Sequence, residues 1–492
     1  MAGLVNRSAS SHVNPWLALV VVCLGQFMVV LDATVVNVAL PSIQTDLGIS
    51  DANLQWIVNA YTLLFGGFLL LGGRAADLIG RRTLFIAGVV VFSVASLLNG
   101  LASSEEMLIA ARGLQGLGGA LLSPAALAVI TTTFAEGADR TKALSIWAAI
   151  ASGGGAVGLL LGGVLTEALS WEWIFFVNVP IGVAIIFAAL RLVPNSRVEG
   201  GRRHFDLAGA ISVTAGLIIL VYAIVKAQDW GWGSASTLGL AAVAVAVLAS
   251  FIWIERRSPS PLVRLGLFRM RSLAVGNGVF LIVVGGLFAM FFFATLYMQD
   301  ILGYSPITTG VGFLPVTAGI MIGATVAQQL IQRVGVRRVL LTGLVVAAAG
   351  LAVLALTTSV DGTYLGVLAG LFPMSIGMGA TFVSLTLVAT TNVAADDAGL
   401  ASGIFNTSQQ VGGALGLAIL STLANDRTVN ALGDLTGAPT QAQQQAALVE
   451  GYQLAFIVAA ALIAAGAILM AALLRRRDVE RIDAGDAVAV PA

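Results

Sequence analysis

Two ionisable side chains stand inside stretches otherwise too apolar to tolerate them. Asp32 lies within the apolar run 16–40, and Arg112 within the run 106–133. A charge at the centre of a spanning helix costs about 2.5–3.5 kcal/mol on insertion scales, so each needs a partner or a task. Asp32 precedes Pro41 by nine residues and Arg112 follows Glu106 by six. At about 1.5 Å rise per residue, antiparallel helices then place both side chains roughly 9–14 Å below the same membrane face. Their depths agree, although nothing in the local spacing requires it. Burial disfavours a charged carboxylate, whereas an adjacent guanidinium favours it. A site that opens and closes would therefore move a proton on and off Asp32, and a cationic ligand would compete with that proton. The alternative is a static ion pair that serves folding alone.

The elements that position these residues are membrane spans. The chain has 492 residues, 58% hydrophobic and only 10% charged, where a soluble domain carries about a quarter charged residues. Fourteen apolar runs approach the roughly 20 residues that a crossing needs: 16–40, 54–73, 83–101, 106–133, 143–166, 174–193, 207–226, 237–254, 273–297, 308–332, 338–358, 363–391, 398–420 and 451–474. Of 25 Lys and Arg residues, all but Lys226, Arg427 and the intramembrane Arg112 fall at one face if every run crosses once. The positive-inside rule then puts both termini in the cytoplasm. Met1–Asn14 is polar and leads into a run too long for a signal-peptide core, so a multi-pass inner-membrane protein is expected rather than a secreted one.

The two ends of the chain echo each other. The second run is followed by Gly80-Arg81-Arg82 and the tenth by Gly335-Val336-Arg337-Arg338. Gly154, Gly158 and Gly162 stripe the fifth run; Gly412 and Gly416 stripe the thirteenth. Parallel six-helix repeats enclosing a site at their interface are an expected transporter architecture. The expected fold is all-α: a six-helix bundle over 1–200, an inserted pair with its linkers over 201–270, and a second six-helix bundle with a tail over 271–492. Val193–Arg203 is polar and basic and reads as the boundary between the first bundle and the inserted pair, and Gly433–Val449 reads as a polar outer loop with room for a helical part.

Other chemistry is excluded. The lone Cys23 cannot close an intramolecular disulfide, and His12 and His204 stand far apart in polar stretches, so no metal site is expected. A phosphate-cradling loop needs a Gly-Lys step, but Lys142 follows Thr141 and Lys226 follows Val225. No cofactor or nucleotide is called for, and zero net charge gives no bulk attraction for nucleic acid. The membrane gradient remains as the energy source. A catalytic constellation for an enzyme is missing.

The loop after the second run reads Gly73-Arg74-Ala75-Ala76-Asp77-Leu78-Ile79-Gly80-Arg81-Arg82. On physical grounds it is either a topogenic basic loop or an ion latch in which Asp77 pairs with nearby guanidinium groups. It resembles the G-x-L-A-D-x-x-G-R-R/K loop of the major facilitator superfamily, with Ala75 for the leucine. Further matches follow in order: Leu31–Pro41 (LDATVVNVALP), Arg112–Gly119 (RGLQGLGG), Trp171–Gly182 (WEWIFFVNVPIG) and Leu302–Pro306 (LGYSP). Together these are similar to the fourteen-helix drug:proton antiporters, the quaternary-ammonium and multidrug exporter type. The family's fifth-helix motif, G-x-x-x-G-P-x-x-G-G, appears as Gly154, Gly158, Gly162 and Gly163, with Leu159 where the family carries proline.

The resemblance implies a monomeric, proton-coupled carrier of small lipophilic compounds working by alternating access. In the family, helices one and four line the central cavity, so Asp32 and Arg112 would face one cavity, influence one another and couple protons, and Gly73, Arg74, Asp77, Gly80, Arg81 and Arg82 would form the cytoplasmic latch. Gln26, Tyr61, Gln115, Tyr297, Gln299, Phe382, Asn406 and Gln410 are candidates to line the substrate cavity. Helices ten and thirteen offer Gln328, Gln329, Asn406, Gln409 and Gln410 rather than carboxylates, which favours neutral or monocationic substrates. A dedicated exporter or flippase of an endogenous product (an antibiotic, siderophore or lipid) stays open, as does a nutrient symporter.

Overall fold

The structure, a computed structural model, describes residues 14–134, 137–194, 206–259, 261–390, 393, 398–433 and 438–479. Among these residues there is no strand. The helices are α1 (Pro15–Leu47), α2 (Asp51–Leu54), α3 (Trp56–Ile79), α4 (Arg81–Gly100), α5 (Glu105–Thr133), α6 (Ala138–Ala168), α7 (Trp173–Phe176), α8 (Asn178–Leu192), α9 (Leu207–Trp230), α10 (Ala235–Arg257), α11 (Arg271–Leu296), α12 (Pro306–Gly312), α13 (Leu314–Val334), α14 (Val336–Thr357), α15 (Tyr364–Thr390), α16 (Ala398–Gly433) and α17 (Gln441–Leu473). Twelve of the resulting helical stretches are long and apolar enough to span a bilayer. The helices α6 and α16 occupy the fifth and thirteenth runs.

Local chemistry sets the helix ends. Asn14 caps α1 by accepting the Trp16 amide at 3.0 Å, and Pro15 follows at the first helical position. Ser104, Asp206 and Ser234 cap α5, α9 and α10 in the same way. Gly80 joins α3 to α4 at φ 120°, and Gly335 joins α13 to α14 at φ 86°. A residue with a Cβ rarely adopts such angles, so the echo between the two loops is a shared turn geometry.

Helix α5 packs between α3 and α4, α1 lies against α6, and α8 lies against α4. In the later part of the chain, α15 packs between α13 and α14, and α11 contacts α16 and α17. The pair α9 and α10 is a hairpin whose α9 leans on both α3 and α16. Only 11% of the apolar window of α10 is covered by protein, so nearly all of that helix is left for lipid.

The apolar core divides unequally. One cluster stays within residues 18–193. The other runs from α1 and α3 across to α11, α15 and α17, uniting both parts near the end that holds the α1–α2 turn. Hydrogen bonds tie the first six spans to the last six. The Gln299 amide donates to the Val38 carbonyl at 2.8 Å, and the Ile307 backbone amide donates to the Glu167 carboxylate at 3.0 Å. Another, deeper in, runs from the Thr407 hydroxyl to the Gly66 carbonyl at 3.4 Å. A carboxylate at the start of α12 also meets the favourable end of that helix's dipole. The molecule is therefore sealed at the end opposite its basic loops.

The outer stretch 433–449 is partly helical: α17 begins at Gln441, and Thr440 and Gln443 form a reciprocal capping box ahead of it. Met290, Phe292 and Phe293 are buried, and Phe293 packs on Tyr452 and Phe456. The polar linker expected near 193–203 lies mostly outside the described residues.

Candidate functional site

The two intramembrane charges meet directly. Arg112 Nη1 lies 2.6 Å from Asp32 Oδ2, and the residues are 1% and 0% exposed. A charged pair withdrawn so completely from water needs its remaining hydrogen-bonding capacity filled, and the neighbours fill it. Gln115 donates to Asp32 Oδ1 at 2.7 Å, and Asn178 donates to the same oxygen at 3.1 Å. Arg112 Nε donates to the Ile57 carbonyl at 3.0 Å, and Nη1 also reaches Gln115 Oε1 at 2.8 Å.

The network extends through amides. Asn99 donates to Gln115 Oε1 at 2.7 Å. Asn178 donates to Ser96 Oγ at 3.1 Å, and Ser96 donates to the Phe175 carbonyl at 2.8 Å. The guanidinium carbon sits 4.4 Å from the centroid of the Tyr61 ring, which stacks on Phe65. One acid is thus held from α1, α4, α5 and α8 together, with α3 supplying the cation–π face. Any tilt of α1 against α5 or α8 must break charge-assisted bonds.

Sequence spacing placed Asp32 and Arg112 at one depth, and the family resemblance implied a shared cavity. Their agreement in depth holds, but here they are fully buried in a common knot. Asn99, Ser96 and Asn178 were missed as members of it. Asn178 sits inside the WEWIFFVNVPIG motif, and a polar amide in an apolar span was the available signal.

The other candidates separate into groups. Gln115 and Tyr61 belong to the knot, although the Tyr61 hydroxyl is buried without a hydrogen-bond partner, as is Gln26 Oε1 on α1. Tyr297 and Gln299 stand at the sealed end: the Tyr297 hydroxyl donates to the Ser359 carbonyl at 2.8 Å, and Gln299 bonds Val38. Phe382 packs edge-on to Phe280, which stacks on Phe405 at 4.0 Å. Asn406, one position further along α16, is exposed. Gln410 faces α3, where a methyl group at Gly66 would touch its Cβ at 2.7 Å.

The fifth-helix glycines line two seams. Gly154 and Gly162 face α1, with Val30 and Val35 as neighbours, and Gly158 abuts Thr34. Gly163 faces α12 instead, where an added methyl would stand 2.5 Å from the Pro306 carbonyl. Leu159 is buried, and α6 continues through it from Ala138 to Ala168. In the basic loop, Asp77 pairs with Arg81 at 2.9 Å and Arg82 reaches the Val193 carbonyl at 3.4 Å. Arg74 is exposed, and Gly73 lies beside Pro124. No group of three or more potential metal ligands occurs among the described residues.

The major facilitator superfamily profile matches residues 22–417. The puromycin resistance protein pur8 of Streptomyces alboniger is 42% identical, covering 97% of this chain and 95% of that protein. The cephamycin export protein CmcT of Amycolatopsis lactamdurans is 42% identical over 85% of this chain and 87% of its own. The multidrug resistance protein Stp of Mycobacterium tuberculosis is 37% identical over 83% and 75%. Among solved structures, a bacterial homologue of the human lysosomal transporter Spinster, inward-facing and unoccupied, superposes with TM-score 0.66 at 16% identity over 96% of this chain and 99% of that one. An auto-inhibited peptide transporter of the POT family gives 0.67 at 14% over 94% and 96%. The family model spans most of the chain and these relatives match along most of their length, so the chain belongs to the major facilitator superfamily, beside proteins named for antibiotic resistance and export, and is a multi-pass membrane transporter rather than an enzyme.

Proposed function

We propose that this protein exports small hydrophobic compounds, neutral or singly cationic, from the cytoplasm of a bacterial cell in exchange for protons. The relatives named for puromycin, cephamycin and multiple drugs support drug efflux. The observation that carries the coupling is the fully buried Asp32, tied to Arg112 and two amides across three helices.

In the present arrangement those bonds hold the charged carboxylate. Rocking of the first six spans against the last six loosens the knot and lets water or substrate reach Asp32. A proton arriving there releases Arg112, and loss of the proton restores the pair. Removing one partner of a buried pair costs about 3–5 kcal/mol. One charge crossing 100 mV supplies about 2.3 kcal/mol, the same order, so a gradient of ordinary size can drive the exchange. The protein acts as a monomer in the inner membrane with both termini inside. It comprises bundles over 1–200 and 271–492 with the pair over 201–270 inserted between them.

A second reading is a dedicated exporter of one product, favoured by relatives named for a single compound. Proteoliposomes with an imposed pH gradient and a panel of dyes and antibiotics separate the two. Broad transport supports multidrug exchange, one transported compound supports dedication, and no proton-linked movement of any compound contradicts both.

A further inference from the structure

The strap that joins α10 to α11 takes no part in the exchange site. It starts where a lipid-bathed helix ends: only 11% of the apolar window of α10 is covered by protein, and Arg256 and Arg257 occupy its last turn. It finishes at Arg271, the first residue of α11, whose Nε donates to the Leu473 carbonyl and lies 3.8 Å from Asp478. Two buried leucines pin it between those points. Leu262 packs with Leu71 and Ala210, and Leu267 with Leu273, Ala401 and Ile404. The Ser258 amide donates to the Ile254 carbonyl at 2.8 Å, and the Val263 amide to the Glu255 carboxylate at 3.1 Å. A strap held this closely runs along the edge of the bilayer rather than out into water.

With the leucines turned inward, other side chains turn outward. Phe268, in the short 3-10 turn Leu265–Arg269, is 40% exposed, and Arg269 beside it is exposed. Arg264 is exposed too, with a contact of its own. Arg256 and Arg257 are exposed, and the Arg257 guanidinium lies 4.3 Å from the ring centroid of Trp253, itself 56% exposed. Between positions 253 and 271 the sequence has five arginines and one acid, the buried Glu255. Arginines thus alternate with uncovered aromatic rings on one strip. A loop that serves topology needs only its charge, which gives no reason to leave Phe268 uncovered.

Aromatic rings favour the headgroup level of a membrane, and guanidinium groups take phosphate oxygens in a two-pronged hydrogen bond. We propose that this strap and the last turn of α10 form a binding surface for anionic phospholipid headgroups. Trp253 and Phe268 sit in the interfacial layer, and Arg256, Arg257 and Arg269 hold the phosphates. The charge of the strip and its place at the foot of a lipid-facing helix both match a lipid surface. Because α9 rests on both α3 and α16, lipid bound at the foot of α10 anchors the inserted pair while the two halves move against each other. That consequence rests on the alternating-access reading, whereas the binding itself does not.

The test is native mass spectrometry of the delipidated full-length protein in a neutral detergent. It is titrated with phosphatidylglycerol, or with phosphatidylcholine of the same acyl chains. The wild type should bind phosphatidylglycerol in preference. Arg257→Gln combined with Arg269→Gln should weaken that binding roughly tenfold, since each basic residue near an anionic surface adds to the attraction. The matched pair Arg333→Gln with Arg338→Gln, exposed arginines around the α13–α14 turn, should leave it unchanged. Phe268→Ser keeps every charge and should weaken it as well. Equal binding of the two lipids, equal loss in both double variants, or full binding by Phe268→Ser would overturn the proposal. So would displacement of the lipid by an equal concentration of glycerol phosphate, which would make the strip a site for soluble anions.

Discussion

Asp32 and Arg112 stand eighty positions apart in the chain, yet their side chains meet at 2.6 Å where neither touches solvent. An ion pair in such a place holds its surroundings in register and resists being split. A carrier that must split it in every cycle places its largest electrostatic cost at the coupling step.

Stability and transport should therefore part company. Asp32→Asn leaves Arg112 uncompensated and should cost about 3–5 kcal/mol, read as a lowered melting temperature in detergent. Adding Arg112→Gln to it removes the orphaned charge and should recover much of that loss. Proton-linked transport should stay absent in both. Recovery of transport along with stability would make the pair purely architectural.

Asn178 holds Asp32 and Ser96 at once. Asn178→Ala strands a carboxylate acceptor and should cost about 1–3 kcal/mol. Because it relaxes the acid's position without removing it, the pH optimum of transport should shift while some exchange persists. An unchanged pH profile would assign Asn178 to packing alone.

The glycines of α6 make distinct forecasts. Gly163→Val drives a side chain into the Pro306 carbonyl and Ile307 at the sealed end, so it should disfavour closure there. Spin-label distances across that end should lengthen, and transport should drop at least tenfold. Gly155→Ala meets only the Thr34 methyl at 3.9 Å and should transport normally. Equal behaviour of the two variants would contradict the seam.

The basic loop offers a further test. The Asp77–Arg81 pair is partly exposed, at 38% and 14%, and such pairs are worth about 0–1 kcal/mol. Asp77→Ala should barely move the melting temperature yet slow transport manyfold, because a latch acts on the rocking equilibrium. Wild-type transport rates would leave the loop a topogenic one.

Much of this was legible in the sequence because lipid imposes a strict grammar. Run length marked fourteen stretches that are helical, twelve of them long and apolar enough to cross a bilayer among the described residues, and two charges at matching depths marked the pair. What spacing could not give was orientation about each helix axis. That angle decides whether Asn178 and Gln115 turn toward Asp32 or away, and why Tyr297 and Gln299 close one end instead of standing beside Tyr61. Residues Val193–Arg203 were expected to mark a boundary, which remains a proposal.

The most direct test is transport by purified protein in proteoliposomes with an imposed pH gradient, wild type beside Asp32→Asn. The account predicts that wild-type vesicles move a lipophilic drug opposite to protons and that the variant does neither above passive leak. Uphill drug movement with proton counterflow in Asp32→Asn would contradict it.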